Sequence, residues 1–134
     1  MMPTIVEALW LRLQVILKAF AERLAAADPT LIRDIGCTAN DAFLLRGYLA
    51  LRRSADGDEV SITVDVRNDG EQLALESDAC TDDGGIVAAG PSAVIALAGC
   101  QSRAEAAIDD WLREFDRFLI ENERAVVLAV SKSA

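Results

Sequence analysis

Two groups of carboxylates lie close together in the chain: Asp56, Asp58 and Glu59, and further on Asp78, Asp82 and Asp83. Oxygen donors gathered in this way are the raw material of a calcium or magnesium site. Neither group has the ligand ladder at alternate positions, closed by a distant Glu, that an EF-hand requires. Each adjoins glycine, at Gly57 and at Gly84-Gly85, and tight turns draw Asp for conformational reasons alone. Exposed turn carboxylates that bind no metal are therefore expected. A third acidic set, Asp109, Asp110 and Glu114 with Glu121 and Glu123, has the spacing of acid/base pairs on a helix. The same spacing describes a wet helix face opposite Trp111 and Phe115, with Arg113 and Arg117 as local partners. No catalytic residue is assigned.

The chain has no histidine. It therefore lacks the commonest general base and transition-metal ligand, and a Ser-His-Asp or Cys-His system is excluded within it. Cys37, Cys80 and Cys100 are widely spaced and form no CxxC pair, so neither a zinc site nor a dithiol motif is indicated. Cys37 follows Gly36, where a short helix is expected to end. The negative end of a helix dipole there disfavours a thiolate. Gly84, Gly85 and Gly90 are not followed by Lys-Ser or Lys-Thr, so no phosphate-cradling loop and no cofactor are expected.

Against 13 basic residues stand 22 acidic ones, a net charge of −9 that opposes nucleic acid and anionic membrane surfaces alike. The same charge favours encounter with a basic protein. At 134 residues and 52% apolar the chain reads as one globular domain over residues 1–134. Met1 to Ala27 is apolar, but Glu7, Arg12, Lys18, Glu22 and Arg23 interrupt it at helical intervals. It is neither a signal core nor a membrane span, and a cytoplasmic location is expected.

The elements that must hold these groups are read from periodicity. Val6, Leu9, Trp10, Leu13, Ile16, Leu17, Phe20 and Leu24 make one stripe of a first helix, expected to start at Thr4 with Glu7 as capping partner. Asp28-Pro29 predicts a second, short helix ending at Gly36. Strands are expected over Phe43–Arg53, Glu59–Arg67 and Gln72–Ala79, with a fourth from Ile86 to Leu97, bent or bulged at Gly90-Pro91. Turns at Asp56-Gly57 and Asp69-Gly70 separate them, both of the kind that demands positive φ. In the second strand Val60, Ile62, Val64 and Val66 should be buried, with Ser61, Thr63 and Asp65 on a polar face. Ser102-Arg103-Ala104-Glu105 reads as a capping box opening a last helix that carries Ile108, Trp111, Leu112, Phe115, Phe118 and Leu119.

Together these predict an α+β fold: a mainly antiparallel meander of about four strands with N- and C-terminal amphipathic helices on one face. Beyond Asn122 the run Ala125 to Val130 is apolar all round. Val126, Val127, Leu128 and Val130 are therefore candidate interaction residues, with self-association favoured. The function expected is a non-enzymatic protein-binding module of inhibitor, immunity or secretion-chaperone type, a likeness of size and composition that no motif carries. The alternative is a small-molecule domain with an apolar pocket between the sheet and the C-terminal helix.

Overall fold

The computed structural model describes residues 2–39 and 44–132. Helix α1 (Met2–Ala27) leads into six strands, β1 (Ile32–Thr38), β2 (Leu45–Arg52), β3 (Val60–Asp69), β4 (Gln72–Thr81), β5 (Ile86–Ala89) and β6 (Ala93–Ala96). Helices α2 (Gln101–Glu121) and α3 (Glu123–Lys132) close the described chain. The architecture is α+β: one antiparallel sheet in meander order, β1-β2-β3-β4-β5, with β6 beside β5 on the same edge of β4.

The two-residue period of β3 sorts its side chains as expected. Val60, Ile62, Val64 and Val66 are fully buried, while Ser61, Thr63 and Asp65 stand half-buried on the other face. The cross-strand register carries that split through the sheet, with Leu49 opposite Ile62 and Ile62 opposite Ala79 on the dry side. The three helices of the described residues pack on this side. Leu9, Leu13, Leu17, Phe20 and Leu24 of α1 join Ile108, Trp111, Leu112, Phe115 and Leu119 of α2 in one core. Helix α1 runs parallel to the α2–α3 segment, and the ion pairs Arg12–Asp109 and Arg23–Glu123 bridge them in step. Gly47 of β2 is a close-approach glycine, since a Cβ there would lie 2.6 Å from the Trp10 ring.

Several expectations are corrected. Asp28-Pro29 does not open a helix. Leu31 donates to the Asp28 carbonyl at 3.2 Å, and the Asp28 carboxylate accepts from both the Thr30 N–H and its hydroxyl. This is a β-turn with proline at its second position, and the Ile, Cys and Thr content that follows suits strand β1. Cys37 consequently sits in a strand, not at a helix end. The expected count of about four strands is refined to six among the described residues, because β1 is added and the Ile86–Leu97 segment is divided at Gly90-Pro91. Helix α1 begins at Met2, so Thr4 lies inside it. Helix α2 begins one residue before Ser102: Cys100 is the N-cap, and Glu105 accepts from the Gln101 amide instead. Gly70 has the positive φ expected at its hairpin, whereas Gly57 does not, since seven residues separate β2 from β3. Phe43, the expected start of the β2 strand, lies outside the described residues.

Among the described residues no helix is long and apolar enough to cross a membrane.

Candidate functional site

Among the described residues every helix lies on one side, and the second face of the sheet carries none. Its central row runs Gly36, Tyr48, Thr63, Asp78 and Ala89 across five strands. Tyr48 lies across Gly36 so closely that a Cβ there would be 2.5 Å from the phenol oxygen. Thr63 donates its hydroxyl to Asp78 at 2.7 Å. In the next row Arg46 meets Asp65 through two guanidinium bonds of 2.6 and 2.9 Å, a bidentate geometry that fixes both side chains. Asp65 thereby raises the already high pKa of Arg46. At the other end Arg52 donates to Asp34 at 3.1 Å and stands 3.8 Å from Glu59. The result is a polar platform whose side chains are already oriented by their neighbours.

The charge of that platform is acidic. Asp34, Glu59, Asp65, Asp69, Glu76, Asp78 and Asp82 share it with Arg46, Arg52 and Arg67, as the alternation and register dictate. Asp34, Tyr48, Ala50, Ser61 and Thr63 line a shallow groove of about 530 Å³ on it. Cys80 lies in the same face, half-buried, with its thiol pushed above its ordinary pKa, chiefly by burial.

The interval between the sheet and α2, where an apolar ligand pocket was the alternative, is filled. Trp111 and Phe115 stack there with ring centres 5.3 Å apart, both essentially inaccessible to solvent. Apolar clefts among the described residues open elsewhere. One of about 230 Å³ lies between the first halves of α1 and α2 beside Ile5 and Ile108. Another, of about 330 Å³, lies at the C-terminal end of α1, beside Leu24, Leu31 and Val126.

The C-terminal candidates divide. Val126 and Val130 turn inward and belong to the domain's own core, at 1% and 2% exposure. Val127 and Leu128 face outward, at 37% and 53%. The all-round apolar pattern of this segment is thus half core and half surface. Asp58, Asp82 and Asp83 do gather around Thr81 at one end of the sheet. Asp83, however, accepts from the Thr81 hydroxyl and the Gly85 N–H, which hold its carboxyl below its ordinary pKa. Asp82 accepts from the Glu59 N–H. The Asp83 bonds form the turn and the Asp82 bond ties it to the start of β3, and among the described residues no group of three or more Cys, Asp or Glu is placed to hold a metal ion.

Sequence reasoning passed over Cys100. Cys100 is the exposed N-cap of α2 and makes no side-chain cap hydrogen bond, but the neighbouring N–H groups of Arg103 and Ser102 lower the pKa of its thiol. The signal was present, a cysteine two residues before a helix-start pattern, but Ser102 is the stronger capping residue by type. Comparison with protein-family models, curated proteins and solved structures gives no match to this chain.

Proposed function

We propose that the protein is a non-enzymatic binding module that presents the bare acidic sheet face to a basic partner protein. One observation carries the reading: among the described residues an entire face of a regular sheet lacks helix cover, and that face bears more carboxylates than guanidiniums, with Asp34, Asp65 and Asp78 held by hydrogen bonds to their neighbours. Preorganised charge favours encounter with an oppositely charged surface and selects among partners. The filled core supports this reading over a small-molecule pocket between the sheet and α2.

The test compares partners captured from the native lysate by three forms of the protein. Replacing Glu76 and Asp69, both exposed, by Lys reverses charge on the open face; Glu114→Lys makes the same kind of change on the outer side of α2. A binder that weakens with rising salt, is lost with the open-face pair and survives Glu114→Lys supports the proposal. A binder equally indifferent to both changes places recognition on another surface.

A further inference from the structure

Among the described residues the sheet ends at β1, and the backbone of that strand has a definite outward side. Asp82 donates its N–H to the Glu59 carbonyl at 3.1 Å, so these residues form a hydrogen-bonded pair in the register that pairs Val60 with Thr81. Along an antiparallel ladder bonded and non-bonded pairs alternate, so successive residues turn their N–H and C=O groups to opposite neighbours. Ser61 therefore faces β4, and Ile62 with Leu49 close the β2–β3 ladder. Ala50 with Asp34 then close the β1–β2 ladder. Gly90 bonding to Ser77 and Leu97 bonding to Glu71, both odd-numbered on the β4 side, agree with this parity. Arg33, Ile35 and Cys37 are left with their backbone groups directed away from the sheet.

We propose that this edge pairs with the same edge of a second copy, antiparallel, about a two-fold axis at Ile35. Seven residues of β1 pair with β2 without a register shift, and none of them is proline. A long regular edge of this kind is a template for another strand. Ile35 is the centre of Ile32–Thr38, so a two-fold there pairs the whole strand with itself. Arg33 then faces Cys37 of the second copy and Ile35 faces Ile35, each pair exchanging both of its hydrogen bonds. Asp34 faces Gly36, so no like charges are opposed. Moving the axis to Asp34 or Arg33 would set carboxylate against carboxylate or guanidinium against guanidinium, and shorten the ladder as well. Ile35, half-buried against its own core, gains an apolar neighbour. An axis perpendicular to the sheet keeps all helices on one side. The two bare faces then join into a single platform on the other.

Sedimentation equilibrium tests the assembly across protein concentration, from the 14.4 kDa of one chain to twice that mass. Ile35→Pro deletes an N–H that points away from β2, so the β1–β2 ladder keeps its bonds while the pairing loses its centre. The expected results are a concentration-dependent dimer for the native chain, strengthened by salt because each copy carries −9, and a folded monomer for Ile35→Pro. Register is read independently with Arg33→Cys, which needs no loss of fold to report. Facing residues of a bonded pair have Cα atoms about 5.5 Å apart, within disulfide reach. Mild oxidation should therefore link the new thiol to Cys37 of the second copy. The native protein should link poorly, since its two Cys37 residues would lie about 13 Å apart along the strands. A native chain that stays monomeric at high concentration overturns the proposal, including the case where β1 instead accepts a foreign extended peptide. A dimer that ignores Ile35→Pro, or in which Arg33→Cys fails to cross-link, overturns it too and points to Val127 and Leu128.

Discussion

The two edges of the sheet are built on opposite plans. The β5/β6 edge is broken into two four-residue strands, its register shifts between Ala79 and Cys80, and Gly90-Pro91-Ser92 leaves the ladder midway. The break is fastened rather than loose. The Pro91 carbonyl accepts from the Ser77 hydroxyl at 2.8 Å and from the Trp111 indole at 3.2 Å, tying the interruption to α2. Short strands, proline and a bulge are how natural sheets prevent a foreign strand from adding. The β1 edge has none of them. One edge of the molecule is closed to further pairing and the other is left available.

The largest effect should follow from unfastening the closed edge. Trp111 is 2% exposed and holds both the core and Pro91, so Trp111→Ala should cost about 3–5 kcal/mol of unfolding free energy. The matching truncation on the open edge, Ile35→Ala, removes a half-buried side chain and should cost only about 1–2 kcal/mol. Denaturant unfolding of the two variants measures the difference. Equal losses would mean that the edges are equally integral to the fold and that the comparison is empty.

A smaller effect belongs to the helix above the open edge. In Gly47→Ala the new methyl would press on the Trp10 ring, and the strain should cost about 1–3 kcal/mol. Because Trp10 lies over β2, next to β1, amide exchange should accelerate in β1 and β2 while β5 and β6 stay protected. Uniform acceleration would indicate that α1 does not hold this side locally.

These contrasts show what the sequence carried and what it did not. Alternation over Val60 to Val66 announced a strand with one dry face, because each side chain's fate there is decided by a local period. The stripe from Ile108 to Leu119 announced α2 for the same reason. The open edge was hidden, since Asp28-Pro29 suits a helix start and a β-turn equally well, and only pairing with β2 decides between them. The acidic platform was legible as a charge total. Its placement on one face follows from the register of five strands, which no short window of sequence contains. Val126 and Val130 differ from Val127 and Leu128 only in direction, and direction depends on where α3 leaves α2 at Asn122.

The cysteines sharpen the comparison without moving stability. Cys100, whose thiol is acidified by N–H groups of α2, should react with a disulfide reagent at neutral pH faster than Cys80, whose thiol burial pushes up. Mass spectrometry of partly labelled protein measures that order, and faster labelling of Cys80 would contradict the burial found here. Cys37 reports the open edge. Its labelling should slow as protein concentration rises, whereas Cys100 should be unaffected.

The finest difference concerns how each edge is entered, and acid should reveal it. The turn before β1 is closed by Asp28, which accepts from the Thr30 hydroxyl and N–H and lies 3.2 Å from Arg53. The turn before β5 is closed by Asp83, which accepts from Thr81 and Gly85. Both carboxyls are held below their ordinary value of 3.8, first by the threonine hydroxyl and next by a backbone N–H. A lowered folded pKa means that the folded state favours the ionised form. Its stabilising contribution is complete above 3.8 and disappears as pH falls through the lower folded values. Amide exchange near pH 3, corrected for the intrinsic pH dependence of the chemistry, should therefore rise at both edge entries relative to pH 6. Asp28→Asn should abolish that acid response in β1 alone, and Asp83→Asn in β5 alone. The β1 response should also shrink at high protein concentration, because strand pairing would hold the open edge after its turn has loosened; β5, already fastened through Pro91, has no such second support. If both edges loosen with acid to the same extent at every concentration, the open edge gains nothing from a partner strand.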